Sequence, residues 1–264
     1  MRHSTFRTLW VATLAVGLLA PGCRRDKAPV PPPVAPPSAE APTRPAKPVP
    51  AALSSEEFDA LLREYAEAGK PPADVAQDPR FERYLTALRD ADPDASKGDA
   101  RTALLLNAHS ALLIQCGGDS EAKVGPLSGR VWSLAELERE AMASTDAKEV
   151  VFALARADLT GPNLRPGAYF ETSLAEQLTQ DAGAFIRGVG APRVDRQYAV
   201  LHLSPVFQAG ANGPMEEDTV LWLVREHAQS SAVADLIDGG GFSIEYDPFG
   251  SAAPLVWAEL PPRS

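Results

Sequence analysis

From Ser54 onward, apolar side chains recur at helical spacing. Ser54-Ser55-Glu56-Glu57 forms a capping-box start, and Phe58, Leu61, Leu62 and Tyr65 follow at i, i+3, i+4 and i+7 until Gly69 stops the run. Asp78-Pro79 supplies a cap and a first-turn proline for a second helix carrying Phe81, Tyr84, Leu85 and Leu88. A third helix is predicted from about Ala100 to Gln115, ending at Gly117-Gly118. It is apolar almost all round, so it belongs at the centre of the domain. Ser133 caps a helix over Leu134–Met142. Thr172 or Ser173 caps another with Leu174, Leu178, Ala182, Phe185 and Ile186, and Glu217–Glu226 and Ser231–Ile237 complete the helical set. Strands are predicted at Val150–Leu154, Tyr198–Leu203 and Phe242–Tyr246, from β-branched and aromatic content beside Gly or Pro. The fold class is therefore α+β: one mostly helical domain over residues 54–264 with a small β-sheet. No internal repeat is visible, and Gly239-Gly240-Gly241 follows a helix, as a turn does and a phosphate loop does not.

The amino end has a different pattern. Arg2, His3 and Arg7 precede the uncharged run Leu9–Ala20 and then Pro21-Gly22-Cys23, which reads as a secretory signal peptide over residues 1–22. The apolar run is too short for a permanent span, which needs about 20 residues. Leu18-Leu19-Ala20-Pro21-Gly22-Cys23 resembles a bacterial lipobox, with Ala20 where the usual motif has Leu. That resemblance implies diacylation of Cys23 and a membrane anchor through its acyl chains. Arg24, not Asp, follows the cysteine, so the expected location is the outer membrane, facing the periplasm or the cell surface. Residues 23–53 then form a disordered proline-rich tether: ten of the 23 residues between Ala28 and Pro50 are proline, a composition that favours extended polyproline II.

Charge narrows the partners. The net charge is −10, but residues 1–53 hold seven basic and two acidic side chains, which leaves the body at −15. An acidic body repels phosphate backbones, so nucleic acid is excluded as a partner. Membrane, through the anchor, and an envelope protein or small ligand remain. The two cysteines, Cys23 and Cys116, lie far apart and near no histidine at ligand spacing, so neither a disulfide scaffold nor a metal site is expected, and no cofactor motif is present.

Four motifs in order resemble the family known as domain of unknown function 547, over about residues 100–250. Its buried helix, roughly Phe-Trp-Ile-Asn-Ala-Tyr-Asn-Ala-Leu, corresponds to Leu104-Leu105-Leu106-Asn107-Ala108-His109-Ser110-Ala111-Leu112. Its Ser-Leu-x-x-Ile-Glu-His corresponds to Ser133–Arg139, and its His-Phe-Ala-Leu-x-Cys-Ala-Ser-x-x-Cys-Pro-x-Leu to Val151–Leu164. Tyr169 follows at the expected place, and Leu203-Ser204-Pro205-Val206-Phe207 resembles a later segment. The departures bear on activity. The family's two cysteines fall on Arg156 and Gly161, and its two histidines on Arg139 and Val151. If the family uses papain-like acyl-transfer chemistry, none of those groups is left here, since Arg, Gly and Val supply neither nucleophile nor base. The resemblance thus implies a catalytically silent binding or structural module. The alternative is an envelope hydrolase or acyl transferase of papain-like ancestry with a relocated active site.

Other candidate residues are weighed on geometry. His109 and Cys116 share a helix face but stand about 10 Å apart along the axis, too far for a nucleophile and its base, so Cys116 is expected as a buried residue closing the helix. His202 and Ser204 alternate on a strand without the elbow motif of a serine hydrolase. Glu136 and Glu138, two apart on a helix, face different ways, and Glu216-Glu217-Asp218 reads as a solvated helix start. Asn107, on an apolar helix, needs partners for its amide and is expected to clamp a neighbouring loop or to contact a ligand. Asn107, His109, Arg139, Arg156, Tyr169 and Ser204 are the candidate ligand or structural positions.

Overall fold

The first helix, α1 (Ser55–Glu67), buries Phe58, Leu61 and Leu62, and Gly69, with φ +63°, turns the chain out of it. A computed structural model describes residues 55–117 and 123–260. The expected signal peptide over residues 1–22, acylation of Cys23 and tether over residues 23–53 lie outside the described residues. In α2 (Pro79–Leu88) the Asp78 side chain accepts the Arg80 amide, and the Phe58 ring stacks on Tyr84 at 4.0 Å. The third helix, α3 (Gly98–Cys116), is buried over most of its circumference and stops at Gly117 in the left-handed region, φ +66°. In α4 (Leu134–Ala143) the Ser133 and Glu136 side chains complete a capping box. These four helices supply much of the first core.

Between α3 and α4 runs a hairpin with no counterpart among the expected strands, β1 (Lys123–Leu127) and β2 (Arg130–Ser133). Ser128 and Gly129 both have positive φ, as a two-residue turn of matching twist requires, and the register shifts between Val124 and Pro126. Gly125-Pro126 conceals this strand in the sequence, because proline cannot donate to a ladder and sits in one only at a bulge or edge. The hairpin tip docks through the Gly129 amide on the Arg89 carbonyl at 3.0 Å.

The strand expected at Val150–Leu154 is instead a 3-10 turn, Lys148–Ala153. Val150, Ala153 and Leu154 enter the first core, whereas Val151 and Phe152 enter a second. A residue run buried on several sides cannot use the two faces of a strand, and a tight helical turn distributes it between the two cores.

The second core gathers α5 (Leu174–Arg187), α6 (Glu217–His227), α7 (Ser231–Gly239) and a three-stranded sheet. Its order is β3 (Arg193–Asp195), β4 (Val200–Leu203), β5 (Ser243–Tyr246), with β3 antiparallel and β5 parallel to β4. Phe152, Phe185 and Phe207 meet in this core at centroid separations of 5.2 to 6.4 Å. After β5 the chain returns along residues 157–164, joined by amides from Leu159 to Ser251 and from Ala253 to Ala157. Trp257 Nε1 finally donates to the Lys70 carbonyl at 2.7 Å, tying this return to the end of α1. The described residues form a mostly helical α+β domain with a small sheet. No helix among them is long and apolar enough to cross a membrane.

Candidate functional site

Four of the six candidate positions, Asn107, Arg156, Tyr169 and Ser204, lie on or bond to one connection, residues 154–170, which packs into the first core, and His109 faces it through Glu138. Asn107, 1% exposed at the middle of α3, does to Tyr169 what a neighbouring strand would. Its Nδ2 donates to the Tyr169 carbonyl at 2.9 Å, and its Oδ1 accepts the Tyr169 amide at 2.7 Å. Gln177 of α5 repeats the device one residue to either side, accepting the Phe170 amide at 2.9 Å and donating to the Ala168 carbonyl at 2.8 Å. Asp59 of α1 accepts the Ala168 amide at 2.9 Å. An irregular segment in the core cannot leave its polar backbone unpaired, and three side chains from three helices supply the missing partners.

The Tyr169 hydroxyl points into a buried polar knot. It donates to Asp181 Oδ2 at 2.8 Å, and Arg165 Nη1 meets the other carboxylate oxygen at 2.6 Å. Burial pushes the Asp181 carboxyl up, against the pull of Arg165 and the Tyr169 hydroxyl, to about 6. Burial likewise drives the Tyr169 hydroxyl well above the usual phenol range. Arg165 also reaches the Gln177 carbonyl and Gln180 Oε1. Tyr169 and Arg165 therefore bind the connection to α5. Asp181 was concealed in the sequence on the apolar stripe of that helix, between Leu178 and Phe185, and a carboxylate at that place in the pattern is its one legible signal.

Arg156 lies in a line of charges running in from the surface. Its Nε donates to Asp158 at 3.2 Å, its Nη1 stands 3.5 Å from Glu138, and its guanidinium lies 5.0 Å from the centre of the half-exposed Phe249 ring. The other Glu138 oxygen is 3.5 Å from Nε2 of His109, which is wholly buried in α3. Burial pushes the Glu138 carboxyl up, but the facing His109 and Arg156 outweigh it and hold it below the usual carboxylate range. Among the described residues, neither ring nitrogen of His109 has a hydrogen-bond partner. Glu136 and Glu138 do point apart: the first caps α4, and the second serves this line.

Gly161 closes the turn that carries Arg156. A Cβ at Gly161 would lie 2.6 Å from the Arg156 Cβ, and the Arg156 amide donates to the Pro162 carbonyl at 2.9 Å. Arg156 and Gly161 are thus in contact, and the arginine stem fills the space at the glycine. Ser204 pins the same turn, its hydroxyl donating to the Thr160 carbonyl at 3.2 Å while it accepts the Val206 amide. His202 stands 3.8 Å from Glu245 on the neighbouring strand and takes no part in this turn. Arg139 is exposed on α4 and Val151 is buried in the second core, so neither joins Arg156. Cys116 is half-buried, not fully buried as expected, because α3 ends at the domain edge; its Sγ lies 3.5 Å from the Leu113 carbonyl.

A cavity of about 270 Å³ opens elsewhere, between the end of α4, the 148–153 turn and the start of α6. Met142, Val150, Val151, Ala209 and Met215 give it an apolar lining, Lys148 and Thr219 add polar groups, and the loop from Gly210 to Pro214 borders it. Two flexible thioethers suit such a wall to occupants of varied shape. Among the described residues, no group of three or more His, Cys, Asp or Glu is placed to hold a metal ion. Comparison of the chain with protein-family models, with characterised proteins and with solved structures finds no match.

Proposed function

We propose that this chain is a cell-envelope lipoprotein, held by an acylated Cys23 in the outer membrane, whose body is a catalytically silent binding or structural module akin to domain of unknown function 547. The observation that carries the silent reading is the contact between Arg156 and Gly161. Where papain-like chemistry would need a reactive thiol, this chain has a guanidinium engaged by Asp158 and Glu138 and a glycine with no room for a side chain. The polar atoms of Asn107, Tyr169 and Ser204 are spent on backbone and side-chain partners that hold the 154–170 connection. The cavity beside Met142 and Met215 is the place this reading gives to a small ligand or to a side chain of an envelope partner. The anchor rests on the Leu-Leu-Ala-Pro-Gly-Cys segment and the basic residues ahead of it.

The alternative, a hydrolase or acyl transferase with a relocated site, is favoured by one feature, the buried His109 facing Glu138. Two measurements test the proposal. Intact mass of membrane-extracted protein should show a mature chain beginning at a diacylated Cys23, and Cys23→Ala should release the protein from membranes. A freely soluble, unmodified mature chain rejects the anchor. Turnover of ester, thioester or peptide substrates that is lost in His109→Gln rejects the silent reading in favour of the enzyme.

A further inference from the structure

His227, the last residue of α6, is 5% exposed and its Nε2 has no hydrogen-bond partner among the described residues. Glu149 of the 148–153 turn faces it, Oε1 lying 4.0 Å from Nε2. From the other side Arg187, at the end of α5, donates through Nη1 to the His227 carbonyl at 3.3 Å. That reach depends on Gly183: a Cβ there would stand 2.7 Å from both terminal nitrogens of Arg187. A glycine inside a helix is destabilising relative to alanine. Here it lets the guanidinium fold back over α5 and cap the carbonyl end of α6, where a cation suits the helix dipole.

His227 thus sits where α5, α6 and the 148–153 turn meet. The last two are also walls of the cavity, through Thr219 on α6 and Lys148 and Val150 on the turn. We propose that His227 is an acid-sensitive latch on that cavity: neutral, it packs α6 against α5 and the turn, and protonated, it places a charge in the contact and loosens the wall. The proposal stands on the packing at His227 and does not depend on what the cavity binds.

The charges acting on the ring come from each side. Burial pushes the imidazole below its ordinary value of 6.5 and Arg187 adds to this, while Glu149 and Glu226 oppose without reversing it. The helix α7, which also packs on α6, carries Asp235 and Asp238, the second paired with Arg225 at 2.7 Å. With a lowered value in the folded state, the unfolded chain binds more protons as pH falls below 6.5, so stability falls with acid through that window.

The test follows histidine ring signals of the whole chain by NMR from pH 8 to pH 4.5, with His227→Gln for assignment, beside thermal unfolding and amide exchange. The expected result is a His227 midpoint below 6.5. Tm should fall more between pH 7 and pH 5 in the native chain than in His227→Gln, and protection of residues 148–153 and 219–227 should drop over the same interval. A midpoint at or above 6.5, or parallel Tm curves for the two proteins, overturns the proposal. Should His227→Gln fail to fold, Glu149→Gln decides instead. Loss of the facing carboxylate should move the His227 midpoint further down, and an unmoved midpoint refutes the latch.

Discussion

Replacing Asn107 tests how the domain holds an irregular segment in its interior. The side chain is 1% exposed and makes two bonds to the backbone of Tyr169, at 2.9 and 2.7 Å. In Asn107→Leu the branched shape and the number of heavy atoms are kept, yet the Tyr169 amide and carbonyl lose their partners where water does not reach. Each orphaned group costs about 1–3 kcal/mol, and the better helix propensity of leucine returns only a few tenths, so the expected loss is about 2–5 kcal/mol. Against a total stability of about 5–15 kcal/mol, that is a large share. Asn107→Asp should be worse, because a carboxylate oxygen then faces the Tyr169 carbonyl in a buried site. With a urea slope of about 3 kcal/mol/M, the leucine variant should unfold about 1 M earlier. Circular dichroism during urea titration measures the midpoint, and amide exchange at Tyr169 reports the local bond. A leucine variant within about 0.5 kcal/mol of the native chain, with Tyr169 still protected, would refute the reasoning and leave the clamp without energetic weight.

Three further outcomes are expected. Gly161→Ala puts a methyl group 2.6 Å from the Arg156 Cβ, so calorimetry should show a loss of about 1–3 kcal/mol, while Arg156→Gly, which removes that Cβ, combined with it should recover part of that loss. Arg80 beside Asp78 holds its carboxyl down to about 2, so the stability this pair contributes is complete above pH 4 and is lost as pH falls toward 2. Asp78→Asn should flatten that acid slope in equilibrium unfolding. Cys116→Ser should leave any binding or activity intact and shift Tm by no more than about 2 °C, because the side chain is only half-buried at the end of α3 and serine keeps its size and its reach to the Leu113 carbonyl.

Residue pattern alone determined much of the helical frame. Asp78-Pro79, Ser133 with Glu136, and Gly117 place helix ends within a residue or two, because caps act on backbone groups a few residues away and leave a local signature. The largely apolar run of α3 likewise announced a central helix, and Asn107 within it announced either a clamp on a neighbouring loop or a ligand contact, of which the structure shows the clamp. What the clamp holds was not legible, since Tyr169 lies 62 residues away and no local pattern encodes that approach. The same holds for the line from His109 through Glu138 to Arg156, and for the contact between Arg156 and Gly161. Tertiary structure also overruled the local preference of Val150–Leu154: β-branched residues favour a strand, but two cores compete for the segment, and only a tight turn satisfies both. The tertiary structure alone gave His227 its neighbours, because the distance between Glu149 and the end of α6 depends on how α5, α6 and the 148–153 turn pack against one another, a choice made by burial summed over the whole second core.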